Sequence, residues 1–285
     1  MMEVLVQGIL LGGLYCLFAQ GLSVMFGVMR LTNIAQGDFI VLAAFVGVAL
    51  AAQFGGGFML ALLALLPVSF VIGHQLQARV LNPTMGKDPL PSLVVTFGLS
   101  IVIQNGLQEI FSADPRSLPS DGLNTQSFEL AGMYIGVLPV LIFVAALMCT
   151  GFLQWLFSST KLGRAFRAVS DDREISEIMG LHAKRIYALA TGIAFVLIAI
   201  AGWFQSLRTT VAPTDGPMLL LFAFEAVIIG GMGSFWGTLV GAMVLGVTQQ
   251  IGFRLDPGWG LWLGHLVFLL VLVVRPQGLF PKTRG

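Results

Sequence analysis

Charge is what this sequence has least of. Asp, Glu, Lys and Arg supply 10% of its 285 residues, against roughly 25% in a soluble domain. The mean hydropathy is +0.90. So few charges cannot cover the surface of a water-soluble fold, and a polytopic membrane protein is the class that remains. Cysteine is nearly absent too. Cys16 and Cys149 lie inside apolar runs and read as small buried hydrophobes, not as a disulfide or metal site. His74, His182 and His265 are far apart with no metal-ligand spacing, so no metal and no cofactor is expected. No GxxxxGK[ST] phosphate loop is present, and no catalytic constellation, so the chain is not expected to be an enzyme or to hydrolyse ATP. A net charge of +1 without a basic patch offers nothing to nucleic acid. The first apolar run starts at Val4 with no basic segment before it and is too long for a cleavable signal.

Long apolar runs are what is there. About 20 apolar residues cross a bilayer, and residues 4–29 contain no charge at all. Gly8, Gly12 and Gly13 give that run a small-residue stripe suited to close helix contact. Residues 39–78 are too long for one span, and Gly55, Gly56 and Gly57 divide them. Further spans are expected from Pro89 and Pro91 to about Gln108, then over residues 131–157, 186–207, 218–229, 234–252 and 260–274. The stretch 218–229 is too short for an unbroken crossing, and Gly230, Gly231, Met232 and Gly233 separate it from the next apolar run. A broken or re-entrant element is expected there. The fold class is therefore all-α: one membrane helix bundle over residues 1–285, with about eight to nine transmembrane helices. Gly37–Gly47 and Gly237–Gly246 each continue an interrupted run as small-residue helices, a weak internal repeat of the kind found in transporters.

Residues 161–185 are the longest polar interruption and carry six of the fifteen Lys and Arg residues. Loops rich in Lys and Arg face the cytoplasm. By the same rule Arg79 and Lys87, and the tail with Arg275, Lys282 and Arg284, are expected inside, and residues 112–129 and 208–217 outside. Five spans before the polar loop then put the N-terminus outside. Within the loop, residues 171–179 predict a short helix that opens on Asp171 with Glu174 in its first turn. It closes on Gly180 in a left-handed cap. Ile175, Ile178 and Met179 fall on one face. So short a helix needs a partner surface, either the membrane interface or another protein.

A few polar residues stand out inside or beside spans. Asn33, Gln36 and Asp38 gather at the entrance to one; they are open between a helix cap and the lining of a solute route. Glu225 is a lone acid in an apolar stretch, open between a structural partner and a substrate contact. Glu109 and Arg208 sit at span ends and read as interface anchors. Gly233, Gly237 and Gly241, four apart, predict a helix face packed closely on a neighbour.

Four segments together resemble a known family: GLSVMFGVMRLTNIAQGDFIVLAAF, GRAFRAVSDDREISEIMGLHAKRIYALATGIAFVLIAIAG, AVIIGGMGSFWGTLVGA and the closing VRPQGLF. They are similar to the permease subunits of branched-chain (hydrophobic) amino acid ABC importers. The central loop resembles the EAA loop of such importers, in which Glu and Gly are six apart, as Glu174 and Gly180 are. The later Ile-x-Leu-Pro of that motif is absent, with Ala190, Gly192 and Ile193 in its place. The resemblance implies a multi-pass subunit of the bacterial inner membrane working with a second permease subunit, two ATP-binding cassette ATPases and a periplasmic substrate-binding protein. It makes residues 158–186 a cytoplasmic coupling loop, with Glu174, Ile175, Ile178, Met179 and Gly180 as the ATPase contact. Carriage of urea, amides or other amino acids is an alternative within the family, and a self-contained secondary transporter or channel is the alternative outside it.

Overall fold

A computed structural model describes residues 1–54, 58–86, 88–119, 122–130 and 132–280. Gly55, Gly56, Gly57, Lys87, Ala131, Lys282 and Arg284 lie outside the described residues. The helices are α1 (Met2–Met29), α2 (Gln36–Gln53), α3 (Phe58–Leu76), α4 (Leu90–Phe111), α5 (Val137–Ser159), α6 (Lys161–Asp171), α7 (Arg173–Ile178), α8 (Ala183–Arg208), α9 (Gly216–Gly230), α10 (Phe235–Leu255) and α11 (Trp259–Val274). Strands β1 (Ser127–Leu130) and β2 (Met133–Gly136) pair as an antiparallel hairpin before α5.

Among the described residues, six helices are long and apolar enough to cross a membrane: α1 to α5 and α8, with α3 continued to Thr84. Helices α9 and α10 pass that test together but are bent by 116° at the break between them, and α11 is a shorter apolar helix. The count sits slightly below the eight to nine expected. The break after Gly230 falls where the glycines predicted it. Gly231 and Gly233 take positive φ there, 105° and 83°, a conformation that costs a residue with a Cβ.

Helix α1 is the axis of the bundle, packed by α10, α8, α5 and α9. Two of these contacts depend on missing side chains. A Cβ on Gly12 would meet the backbone of Met243 at 2.6 Å, and one on Gly246 would strike the carbonyl of Gly8. Helix α9 runs along α1 in the same sense, with Phe222 on Tyr15 (ring centroids 4.7 Å apart) and Val227 beside Leu22 further along. Helix α10 returns antiparallel, from Thr238 beside Ser23 to Gly246 beside Gly8. Helices α3, α4 and α11 carry exposed apolar faces, including Leu63, Val94, Val102 and Val273, as lipid-facing helices do. After α11 the chain folds back on the α9–α10 corner, where the Leu279 and Phe280 amides donate to the carbonyls of Ile229 and Gly230 at 2.9 and 3.0 Å.

Three expectations are corrected. The span placed at 131–157 begins at Val137, because Met133, Tyr134 and Ile135, apolar but β-favouring, pair with β1 instead. The polar loop is not one short helix but two. Thr160 Oγ1 accepts the Gly163 amide at 3.0 Å and starts α6, which buries Phe166 and Val169. Consequently Asp171 ends α6, and its neighbour Asp172 caps α7 by accepting the Ile175 amide at 3.0 Å. Glu174 is thereby one place too early for a capping box. Finally, Gly233 is not on the glycine helix face: Ser234 Oγ caps α10 by accepting from Gly237 N at 3.1 Å, so Gly233 belongs to the preceding turn.

Candidate functional site

The polar knot between α1 and α2 is wholly buried at Asn33, Gln36 and Asp38. Arg30 ends α1 with φ 53°, its amide donating to Phe26 O at 2.9 Å, and the chain turns back beside α1. Asn33 Oδ1 accepts the Ala35 amide at 3.1 Å just before α2 begins. Gln36 Nε2 donates to Phe18 O at 3.2 Å, so α2 starts alongside the middle of α1. Asp38 faces α4 and α9: Gln104 Nε2 donates to its Oδ1 at 2.8 Å, and Gly216 leaves the space that its carboxylate fills. Gln36 Oε1 has no partner among the described residues.

Glu225 belongs to a second group, with different partners. It is 1% exposed. Its Oε1 lies 2.5 Å from His265 Nδ1, so a single proton sits between α9 and α11, whichever side donates it. The other oxygen, Oε2, has no partner among the described residues. Phe222 stacks against both Tyr15 and His265. The Tyr15 hydroxyl donates to Gln249 Oε1 at 2.6 Å, and Gln249 Nε2 is again unpartnered among the described residues. Tyr15, Gln104, Gln249 and His265 were not singled out from the sequence. Tyr15 and His265 stand in apolar runs as Glu225 does, whereas Gln104 and Gln249 have polar neighbours, Asn105 and Gln250, and carry no such signal.

At the far end of α1 sits the α6–α7 unit. Ser170 Oγ donates to Gly27 O at 2.8 Å, and Arg167 reaches the carbonyl of Phe157. Helix α7 closes with Gly180 N on Glu177 O and Leu181 N on Ser176 O, at 3.1 and 3.0 Å, and with Gly180 at φ 87°. These paired bonds are a Schellman closure. They hold α7 with its apolar residues outward: Ile175, Ile178 and Met179 are 57%, 85% and 79% exposed. Arg173 Nε bonds Glu177 at 3.1 Å beside them, and Glu174 is exposed. Gly237 and Gly241 pack on α9, where a Cβ on Gly241 would strike Ala226 O and meet Gly230 N at 2.5 Å.

No group of three or more metal-ligating side chains occurs among the described residues. The arrangement is that of a membrane bundle with buried polar groups around Asp38 and Glu225 and a short helix, α7, that exposes an apolar face.

Comparison with known proteins fits this architecture. The permease BraD of the high-affinity branched-chain amino acid transport system of Pseudomonas aeruginosa is 28% identical, over 99% of this chain and 96% of its own. LivH, the corresponding permease of Escherichia coli, is 24% identical over 97% and 94%. Among solved structures, PsaBC from Streptococcus pneumoniae in complex with Fab is similar with a TM-score of 0.51. It covers 96% of this chain and 93% of that one at 11% identity, a likeness of fold alone. A family model described as the permease component of the branched-chain amino acid transport system matches residues 4–275. The chain belongs to that permease family.

Proposed function

We propose that this protein is the membrane-spanning subunit of an ABC importer for branched-chain or other hydrophobic amino acids in a bacterial cytoplasmic membrane. A separate ATPase drives it through α7. One observation carries the reading. A two-turn helix, too short to persist alone, is braced by caps at both ends and turns its three largest apolar side chains to solvent. Exposed apolar anchors on a rigid mount are what a groove in a partner takes up. A permease that holds no nucleotide site must receive its driving motion through such a contact. The importer is completed by a second permease subunit, two ATPase subunits and a periplasmic substrate-binding protein. In the same reading Asn33, Gln36, Asp38 and Glu225 border the route of the solute once the helices around them part.

The test is Ile178→Asp, co-expressed with the partner subunits. Loss of a buried anchor costs ~2 kcal/mol or more, about thirtyfold in association. ATPase co-purification and leucine uptake are therefore both expected to fall. Gly180→Val is expected to act in the same direction, since a β-branched residue resists φ 87°. Normal assembly and uptake in Ile178→Asp would remove α7 from the coupling path.

A further inference from the structure

At the end of α1 opposite the α6–α7 unit, the bundle holds a cavity of about 170 Å³. The first turns of α1, strand β2, the start of α5 and the ends of α8 and α10 enclose it. Its lining is largely apolar and includes Leu10, Leu14, Ile135 and Ile142. Among the described residues that line it, two are formally charged, and they are of opposite sign: Glu3 and Arg208. They are not an ion pair with each other or with any other described residue. Glu3 accepts one bond, from Gln7 Nε2 at 3.3 Å.

We propose that this cavity binds a free amino acid with an apolar side chain. Its carboxylate sits on Arg208, its ammonium on Glu3, and its side chain among Leu10, Leu14 and Ile142. The chemistry is complementary point by point. A guanidinium offers a fork to a carboxylate, a carboxylate accepts from an ammonium, and an apolar wall takes the rest. The size points the same way, since the cavity is smaller than the roughly 300–1,000 Å³ pockets that hold drug-sized ligands and cannot enclose lipid chains. The opening toward the outer side of the membrane rests on the orientation that the basic loop sets; the cavity and its charges do not. The site is separate from Asp38 and Glu225, so it would hold solute at the surface of one subunit.

The probe is a diazirine analogue of leucine. It is photo-crosslinked to the full-length chain with its co-purified subunits, without the periplasmic binding protein, in phosphatidylglycerol nanodiscs. Labelled positions are read by mass spectrometry, and affinity by competition with unlabelled leucine. Saturable labelling is expected on residues 3–14 and 133–142. Glu3→Gln and Arg208→Gln are each expected to weaken it about tenfold or more, and Leu10→Phe to fill the space and abolish it. Isovalerate and isoamylamine, each with one of the two charges, should compete at least tenfold less well than leucine. Glu3 is exposed on the first turn of α1, so its variant folds even where a cavity variant does not. The proposal is overturned by labelling that never saturates or that maps elsewhere. It is overturned equally by labelling insensitive to Glu3→Gln and Arg208→Gln, or displaced by added phosphatidylethanolamine but not by leucine, which would make it a lipid site. Ile178→Asp should leave the labelling unchanged, so this inference and the importer reading fail separately.

Discussion

Two buried carboxylates dominate the chemistry at the scale of single residues. Asp38 and Glu225 are each bonded from a peripheral helix, Asp38 by Gln104 on α4 and Glu225 by His265 on α11. Those helices expose large apolar side chains toward the outside of the bundle. A hydrogen bond contributes about 0.5–1.5 kcal/mol net, so each carboxyl group helps to anchor its helix. Glu225→Ala leaves His265 without that partner and is expected to lower the thermal midpoint of the detergent-solubilised protein by several degrees. Glu225→Gln keeps one bond and is expected to lower it less. An unchanged midpoint with lost uptake would assign Glu225 to the solute instead.

Close approach decides what happens at the scale of helices. Gly230, Gly237 and Gly241 let α9 and α10 touch backbone to backbone, while Gly8, Gly12 and Gly246 do the same for α1 and α10. Water does not drive helices together inside a bilayer, so such contacts must come from packing itself. Gly241→Leu pushes a side chain into Ala226 O and Gly230 and is expected to abolish most of the folded yield on size-exclusion chromatography. Gly151→Leu is the control, because nothing lies within 4 Å of a Cβ there, and its yield should match the parent. Equal yields from both would mean that α10 is not held by this contact. The sequence pattern showed this face but placed Gly233 on it, because glycine spacing continues through the turn and only the Ser234 cap marks where the helix starts.

For the whole molecule, orientation is the property that charge alone predicts. The α6–α7 unit, with Lys161, Arg164, Arg167 and Arg173, lies at one end of α1, and the hairpin and Arg208 at the other. A cysteine at exposed Asp171 is expected to react only from the cytoplasm and one at exposed Gln126 only from outside. Periplasmic labelling at 171 would reverse the bundle. Most of the architecture was legible in the sequence, because charge-free runs of membrane length admit few structures. What escaped was local. Met133, Tyr134 and Ile135 look like the start of a span until β1 is found to pair with them. Leu162, Phe166 and Val169, spaced for a helix, were hidden by the charges between them. The partners of Asp38 and Glu225 come from far along the chain, and no local pattern links position 38 to 104 or 225 to 265.

The bonds from Leu279 and Phe280 to Ile229 and Gly230 have a meaning for biogenesis. The ribosome makes α9 well before it makes residues 279 and 280, with α10 and α11 in between. At roughly 5–20 residues per second the carbonyls at the end of α9 wait for seconds before their partners exist. The corner on which α9 and α10 turn is therefore closed only after α10 and α11 have been made. Until then the carbonyls of Ile229 and Gly230 lack the partners that they have in the finished fold.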